Sequence, residues 1–235
     1  MEGALSKGGA RPISFSRPTI SKQAYLKTTQ GRGSTSPQAG GAIASGQPPV
    51  SVRRLLHGLG LSPRKALGQH FLVSRGALRR ILEAGEVGPE DLVVEVGPGL
   101  GVLTRELAES GARVVALELD ADLARALAST YRDEPRVSVL NADARLVDLG
   151  ALIPQGTPYT MVANLPYYAA TNILRRFLES ERKPRRAVVM VQREVAHRMV
   201  AAPGRLGLLG VGIQFYGKPV IVGHVPPGAF YPRPK

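Results

Sequence analysis

Four short apolar runs, each leading into a glycine or a polar residue, constrain the fold of this chain most strongly. The runs cover residues 92–96, 113–117, 137–140 and 159–163, and they lead into Gly97, Glu118, Asp143 and Asn164 at steps of 21, 25 and 21 residues. This spacing predicts an α/β fold with a mostly parallel sheet, in which right-handed crossovers bring the four strand ends to one edge. Ligands of open α/β sheets bind outside the carboxyl ends of the strands, so this edge is the expected site.

Further segments extend the predicted domain beyond these runs. Residues 74–82 show a helical apolar pattern with Ser74 as the N-cap candidate. The apolar runs at residues 187–191 and 220–222 look like additional strands. We therefore expect one ordered domain over residues 51–235.

The first fifty residues differ in composition from the rest of the chain. They are rich in Gly, Ser, Thr, Ala, Pro and Gln, contain six basic residues and one acidic residue, and show no helical or strand periodicity. We expect residues 1–50 to be a disordered basic extension. The composition fits an organelle transit peptide, a non-specific RNA-binding tail or translation from an upstream start codon, but it lacks the apolar region of a secretory signal.

The charge and the absence of cysteine narrow the possible functions. The chain has 31 Lys and Arg against 18 Asp and Glu, a formal net charge of +13. Such a charge indicates a polyanionic partner, nucleic acid first and an anionic membrane second, the alternative being a solvated basic surface. No apolar run approaches the ~20 residues of a membrane span. Without Cys, a disulfide scaffold, a zinc ribbon and a thiol nucleophile are excluded, and we expect no metal.

The first strand end carries the pattern of a nucleoside-binding loop. Residues 97–101 read Gly-Pro-Gly-Leu-Gly, where glycines allow the backbone to approach a ligand; a generic glycine turn is the alternative. Glu118 ends the next strand, where a carboxylate can accept both ribose hydroxyls. Because the loop lacks Lys and Arg and Pro98 lacks an amide proton, S-adenosylmethionine fits better than a dinucleotide. Asp143 is then placed to accept from adenine N6, or to cap the following segment.

The fourth strand ends in Asn164-Leu165-Pro166-Tyr167, and here the chain resembles a known family. The tetrapeptide resembles the NLPY motif of the rRNA adenine N6,N6-dimethyltransferases, which include bacterial small-subunit dimethyladenosine transferases and macrolide-resistance methyltransferases. Other segments agree in the family's order, at residues 65–72, 95–104, 117–120, 192–198 and 225–235. The resemblance runs from about residue 64 to the end of the chain.

This resemblance implies a Rossmann-like class I S-adenosylmethionine-dependent methyltransferase domain over residues 51–235. For the cofactor it implies contacts from Gln69, His70, Leu72, Gly97, Gly99, Glu118, Asp143 and Asn164. His70 stands where the family often has Asn, and its imidazole can still donate from one nitrogen. The alternative is that His70 only lies on a mobile arm.

For catalysis the resemblance implies Asn164, Leu165, Pro166, Tyr167 and Phe230. The side-chain oxygen of Asn164 and the carbonyl of Leu165 would accept hydrogen bonds from the target adenine amine and free its lone pair for in-line attack on the sulfonium methyl. Pro166 holds the turn, Tyr167 stacks on the flipped base, and Phe230 closes the other face. The product ammonium is acidic, so no dedicated base is needed.

Other residues near the motifs receive weaker assignments. Tyr168 is left out of the predicted site, with a core position as its alternative role. Basic residues recur around the predicted site, namely Arg53, Arg54, Arg64, Lys65, Arg175, Arg176, Arg182, Lys183, Arg185 and Arg186. Such residues would neutralise RNA phosphates rather than read sequence.

As a whole, the resemblance implies dimethylation of two adjacent adenosines near the 3′ end of small-subunit rRNA during ribosome biogenesis. We expect a cytoplasmic monomer that acts on the immature small subunit and has no membrane contact. The location would be an organelle if residues 1–50 are a transit peptide. The alternatives are a large-subunit rRNA adenine methyltransferase, or a non-catalytic RNA-binding, assembly or transcription factor on the same fold.

The chain departs from the family pattern at two places. The loop at residues 203–209 is short and has Leu206 where the family usually has Tyr. The family pattern also continues beyond Lys235, into an antiparallel strand inserted between strands five and six and a small helical domain. We therefore expect a truncated fold with exposed strand edges where that strand would pair.

Overall fold

The computed structural model describes residues 23–29, 52–64, 67–166 and 168–234. In the first half of the chain the elements are β1 (Gln23–Thr29), α1 (Val52–Gly58), β2 (Phe71–Leu72), α2 (Arg75–Gly85), β3 (Leu92–Val96), α3 (Val102–Glu109), β4 (Arg113–Glu118) and α4 (Ala121–Thr130). They are followed by β5 (Val137–Asn141), α5 (Leu149–Leu152), β6 (Tyr159–Asn164), α6 (Ala170–Leu178), β7 (Arg186–Gln192), α7 (Arg193–Met199), α8 (Leu208–Tyr216), β8 (Lys218–Val225) and β9 (Phe230–Tyr231).

Seven of the described strands form one sheet in the order β5-β4-β3-β6-β7-β1-β8. The strands β3 to β7 are all parallel, and β1 is antiparallel to both β7 and β8. The four predicted strand ends therefore meet at one edge, the carboxyl edge of the parallel strands. This result confirms the predicted α/β class.

The apolar runs are continuous because the parallel strands are covered on both faces. One face packs against α2 and α3 through residues such as Leu78 and Leu107, and the other packs against α5 to α8 through residues such as Phe177 and Ile213. In the middle of the sheet, Val93 and Met161 have no exposed surface. The molecule is thus a three-layer α/β/α arrangement in which the sheet fixes the positions of the loops at its carboxyl edge.

Local signals set the helix boundaries. The side chain of Ser74 accepts from the backbone N–H of Ala77 and caps α2, as predicted. Asp120 caps α4 in the same way, through the N–H groups of Asp122 and Leu123. In the described part of the chain, no helix is both long enough and apolar enough to cross a membrane.

The antiparallel part of the sheet contradicts one expectation. Residues 23–29, predicted to belong to a disordered extension, form β1 and pair along their length with β7 and β8. Because β1 fills the place between these strands, the expected exposed edges are absent from the described sheet. The remainder of the predicted extension, residues 1–22 and 30–50, lies outside the described residues.

A second, two-stranded sheet joins distant parts of the chain at the site. β2 pairs with β9, so Phe71 lies opposite Tyr231 and Leu72 opposite Phe230. The backbone N–H of Val73 donates to the carbonyl of Ala229 at 2.8 Å. These bonds bring the segment after β8 against the segment before α2, beside the carboxyl edge of the main sheet.

Candidate active site

The loop after β3 is shaped by three glycines in the left-handed region. Gly97, Gly99 and Gly101 have φ of +72°, +58° and +73°, which residues with a Cβ rarely adopt. A Cβ on Gly99 would lie 3.0 Å from the ring of Phe71, so the loop packs directly on β2. The loop therefore presents bare backbone to the cavity between β2 and the sheet, where the sequence predicted it.

Glu118 ends β4, and backbone amides hold its carboxylate. The two oxygens accept from the N–H groups of Gly99 and Asp120, each at 2.9 Å. The residue is buried, and this burial raises the pKa of its carboxyl above the ordinary value. Each carboxylate oxygen has a second lone pair. Glu118 can therefore accept ribose hydroxyls without losing its bonds to the loop.

Asp143 follows β5 and is fixed by Arg145. The Nε of Arg145 lies 2.9 Å from Oδ1 of Asp143, and Nη2 lies 2.5 Å from Oδ2. The backbone N–H of Arg145 also donates to Oδ1, at 2.9 Å. The Arg145 guanidinium holds the pKa of Asp143 below its ordinary value. Because a carboxylate has about four acceptor sites, Asp143 can cap this turn and accept from an adenine amine as well.

The turn after β6 is anchored on both sides. Nδ2 of Asn164 donates to the carbonyl of His70 at 3.1 Å, and this bond directs the side-chain oxygen away from that carbonyl. The N–H of Leu165 donates to the carbonyl of Met190 on β7 at 3.2 Å. The carbonyl of Pro166 accepts the first hydrogen bonds of α6. Asn164, Leu165 and Pro166 all line the cavity, so the structure brings together the predicted turn and the predicted cofactor loop.

Gln69, His70 and Leu72 also line the cavity, from the side of β2. The side chains of the first two are held by other parts of the chain. Nδ1 of His70 donates to the carbonyl of Pro232 at 2.7 Å, which places a proton on that nitrogen. Nε2 of Gln69 donates to the carboxylate of Asp120 at 2.9 Å. The two polar groups thus position the backbone of this segment at the cavity.

The aromatic residues are arranged differently from the sequence-based expectation. Phe230, predicted to close one face of the target base, is 4% exposed and packs in the core with Leu72 and Leu78, and it is not among the residues that line the cavity. Its pairing in β9 turns it into a packing residue. Tyr168, which was not included in the predicted site, is 54% exposed and lines the cavity. Tyr167, predicted to stack on the base, lies outside the described residues.

Glu95 lines the cavity and had no predicted role. It lies within β3, is 2% exposed, and accepts a hydrogen bond from the hydroxyl of Thr104 at 2.7 Å. Burial raises the pKa of its carboxyl to about 8. A carboxyl inside an otherwise apolar strand was the available signal, because such a group is rarely buried without a partner.

The basic residues before β7 do not surround the site. Arg182, Lys183 and Arg185 come just before β7, and Arg186 is its first residue, so all four lie at the amino ends of the strands, opposite to the cavity. The prediction for these four is wrong because the first residues of a parallel strand lie at the edge of the sheet opposite to its last residues. Arg64 does lie at the carboxyl edge, where it pairs with Asp120 and Asp122. Lys65 and the side chain of Arg53 are outside the described residues.

The lining of the cavity fits a nucleoside that carries no phosphate. Arg145 is the only Arg or Lys among the described residues that line it, and its charge is paired with Asp143. The acidic side chains are Glu95, Glu118 and Asp143, and leucines, Ala144 and Ile173 supply apolar walls. A pyrophosphate would meet these carboxylates without a compensating cation. Bare glycine backbone, an acceptor for ribose and carboxylates near a cationic sulfonium suit S-adenosylmethionine.

The fold is that of a class I S-adenosylmethionine-dependent methyltransferase, whose cofactor is S-adenosylmethionine. It is defined by the strand order, by the antiparallel strand β1 beside the last strand β8, and by this cavity. The family model "Ribosomal RNA adenine dimethylase" matches residues 60–235, which is most of the chain. The chain therefore belongs to the rRNA adenine dimethylase family.

Individual relatives agree with this assignment. The chain is 46% identical over 194 residues to "Ribosomal RNA small subunit methyltransferase A" of Dehalococcoides mccartyi, covering 82% of this chain and 67% of that protein. It is 47% identical to the protein of the same name from Deinococcus radiodurans, over 79% of this chain and 63% of that protein. The chain thus spans about two thirds of the length of these relatives.

Solved structures with the same fold include two RNA-modifying enzymes. A dimethyladenosine transferase from Plasmodium falciparum superposes with a TM-score of 0.62 at 25% identity, covering 71% of this chain and 60% of that chain. The 23S rRNA methyltransferase ErmE superposes with a TM-score of 0.52 at 33% identity, covering 60% of this chain and 55% of that chain.

Proposed function

We propose that this protein transfers methyl groups from S-adenosylmethionine to the N6 amines of two adjacent adenosines near the 3′ end of small-subunit rRNA. The observation that carries the proposal is the orientation of Asn164. Its Nδ2 is bound to the carbonyl of His70, which leaves the side-chain oxygen as an acceptor on the wall of the cofactor cavity. An acceptor at that place suits an amine better than a hydroxyl or a carbon nucleophile.

The residues around the turn after β6 have two roles toward the substrate amine: some accept its hydrogen bonds and others hold these acceptors in position. Asn164 Oδ1 and the carbonyl of Leu165 accept its two N–H groups, which draws the nitrogen toward tetrahedral geometry. Pro166 and the bond from Leu165 N–H to Met190 keep these acceptors rigid. When bound, S-adenosylmethionine supplies the methyl group that the amine lone pair attacks. Catalysis is then mainly a matter of orientation, and no basic side chain has to accept the proton during the attack.

Cofactor binding is assigned to the surrounding residues. Gly97 and Gly99 offer backbone, Glu118 accepts the ribose hydroxyls, and Asp143 accepts adenine N6. Gln69, His70 and Leu72 form the wall opposite to the glycine loop. Tyr167 is proposed to stack on the flipped base, and Tyr168 at the rim of the cavity adds a second aromatic surface beside it.

The named relatives favour the small-subunit target, since those at 46–47% identity are called small-subunit rRNA methyltransferases. They come from bacteria, where small subunits mature in the cytoplasm, so we propose a cytoplasmic protein that acts as a monomer on the immature small subunit. Light scattering during size-exclusion chromatography tests the oligomeric state.

The decisive experiment supplies labelled S-adenosylmethionine and purified immature small subunits to the chain, with large subunits as the control substrate. Mass mapping of ribonuclease fragments should locate four methyl groups on two adjacent adenosines near the small-subunit rRNA 3′ end. Label in the large-subunit rRNA would replace the proposal by the macrolide-resistance type of activity. RNA binding without label, under conditions in which S-adenosylhomocysteine binds, would indicate a non-catalytic factor.

A further inference from the structure

Arg64 lies beside the cofactor cavity and is not among the described residues that line it. Its guanidinium contacts two acids at the start of α4. Nη1 lies 3.1 Å from Oδ2 of Asp120, and Nη2 lies 2.7 Å from Oδ2 of Asp122. Arg64 was predicted to neutralise RNA phosphates, but both arms of its fork face carboxylates of the protein itself. Its charge is therefore already compensated within the chain.

The carboxylate of Asp120 is the buried centre of these contacts, with 4% of the residue exposed. Oδ1 accepts from the N–H groups of Asp122 and Leu123, which begin α4. Oδ2 accepts from Nε2 of Gln69 at 2.9 Å and is paired with Arg64. These contacts use the roughly four acceptor sites that a carboxylate has. In the described part of the chain Arg64 is the only cation paired with Asp120, so removal of Arg64 would leave a buried carboxylate without compensation.

Asp120 also connects Arg64 to the predicted ribose acceptor. The N–H of Asp120 donates to Oε1 of Glu118 at 2.9 Å. On the other side, the backbone N–H of Arg64 donates to Oε1 of Gln69 at 2.8 Å, so Gln69 bridges Arg64 and Asp120 with both ends of its amide. Gln69 itself lines the cavity. One network thus holds the segment before β2 against the strand end that carries Glu118.

The reacting end of the cavity has separate anchors. Nδ1 of His70 is held by the carbonyl of Pro232, and β2 is paired with β9. The carbonyl of His70 orients the amide of Asn164. Arg64 takes part in none of these contacts. A change at Arg64 should therefore alter the binding of the cofactor more than the chemical step.

We propose that Arg64 is a positioning residue for the cofactor: through Asp120 and Gln69 it fixes the cavity wall beside the ribose, and it is not a contact for RNA. The role rests on the assigned cofactor, and on the proposed function only where rates of methyl transfer are compared. A planar fork suits two neighbouring carboxylates better than an ammonium does. The Arg64 side chain is half-exposed, but its partner Asp120 is buried, so the pair is not an ordinary surface ion pair.

Cofactor binding tests this role without any RNA. Arg64→Gln removes the charge, and Arg125→Gln is the matched control, because Nη1 of Arg125 pairs with Oδ1 of Asp122 at 3.1 Å and not with Asp120. Calorimetry with S-adenosylhomocysteine should show about tenfold weaker binding for Arg64→Gln, and stopped-flow measurements should place the loss in the dissociation rate. Arg125→Gln should bind as the parent does. Parental affinity in Arg64→Gln, or an equal loss in Arg125→Gln, would overturn the role.

A lysine at the same position tests the charge separately from the fork. Arg64→Lys keeps the positive charge but offers a single nitrogen, so we expect binding about threefold weaker than in the parent. An affinity no better than that of Arg64→Gln would overturn the proposal, since compensation of Asp120 would then not matter. If the Arg64 variants do not fold, Asp122→Asn removes one partner of the fork and should weaken binding about threefold. Unchanged affinity in that variant would then contradict the network.

Rates and RNA affinity distinguish positioning from general loosening and from RNA contact. In Arg64→Gln the KM for S-adenosylmethionine should rise about tenfold while kcat on immature small subunits stays within about twofold. An equal fall in kcat would indicate general loosening and overturn the role. A lost phosphate contact would lower the slope of log K against log salt for RNA by roughly 1, and this result would also overturn it. If the parent methylates no rRNA, the proposed function fails, while the cofactor affinities still decide the role of Arg64.

Discussion

The two edges of the parallel sheet balance their charges in different ways. At the amino edge, acids and bases pair with one another across the surface, as in Arg185 with Asp91 at 2.7 Å and Arg136 with Glu134 at 2.9 Å. At the carboxyl edge the carboxylate of Glu118 is held by backbone amides, and Glu95 is held by a hydroxyl. The parallel strands thus have paired charges at one edge, whereas at the other edge the two buried acids Glu95 and Glu118 are held by neutral donors.

This difference separates stability from function. Half-exposed ion pairs contribute little to the free energy of unfolding. Buried carboxylates held by neutral donors keep acceptor capacity and favour a partner that carries N–H or O–H groups or positive charge. Substitutions at the carboxyl edge should therefore change ligand binding, catalysis or the free energy of unfolding by large amounts. Substitutions at the amino edge should have small effects.

The largest effect is expected at Asn164. Asn164→Ala removes the acceptor for the substrate amine, and the loss of one oriented hydrogen-bonding group at a reacting centre costs about 100-fold or more in rate. Methyl transfer to small-subunit rRNA should fall by at least that factor, while the affinity for S-adenosylhomocysteine, measured by calorimetry, falls a few-fold at most. Asn172→Ala, on the exposed side of α6, is the control and should keep its rate. Equal losses of rate and cofactor affinity would assign Asn164 to cofactor binding alone.

The parallel strands and the residues at their carboxyl ends could be predicted from the sequence because the signals for both are local. Each strand from β3 to β6 is an apolar run, and its functional residue follows within three positions, so the edge can be predicted without knowing any long-range contact. β1 could not be found in this way. Its partners on β7 and β8 lie more than 150 residues further along the chain, and its own residues are mostly polar.

The same reasoning explains the errors among individual side chains. Phe230 was placed by its motif, but its two-residue pairing with β2 decides where its ring lies, and that pairing has no pattern in the sequence. Arg185 was placed near the site by its closeness in sequence to β7, although the start and the end of a strand lie at opposite edges. Residues at strand ends are predictable, whereas residues whose position depends on a partner distant in sequence are not.

The next largest effect is expected when a glycine with positive φ is replaced by alanine, compared between one such glycine at each edge of the sheet. Gly101 and Gly156 have nearly equal φ, +73° and +74°, but a Cβ on Gly101 would lie 2.3 Å from Leu127 Cδ1, whereas a Cβ on Gly156 would have nothing within 4 Å. Both alanine variants carry the cost of a left-handed backbone, roughly 1 kcal/mol, and Gly101→Ala adds about 1–3 kcal/mol of overpacking against a buried side chain. Urea unfolding should show this difference in the free energy of unfolding. Equal losses of stability in the two variants would mean that the glycine loop can move to accommodate the added Cβ.

A smaller effect should appear in the pH dependence of stability. Because burial raises the pKa of Glu95 to about 8, the folded state retains a proton that the unfolded state loses near pH 4.5. The stability associated with this proton is complete below pH 4.5 and is lost as the pH rises through 8. Glu95→Gln remains neutral, so its Tm should match that of the parent at pH 5 and exceed it by about 3 °C or more at pH 8.5. Parallel curves of Tm against pH would contradict the assignment.

The smallest effect is expected from the ion pair at the amino edge. Arg185 and Asp91 lie 2.7 Å apart, but their side chains are 42% and 25% exposed, so water and salt screen the pair. Arg185→Ala should cost about 0.2–1 kcal/mol in urea unfolding at low salt, and less in 0.5 M NaCl. Because Arg185 lies at the edge opposite to the cavity, affinity for small-subunit rRNA should be unchanged. A several-fold loss of RNA affinity in this variant would extend the RNA-binding surface around the sheet and end the functional distinction between its two edges.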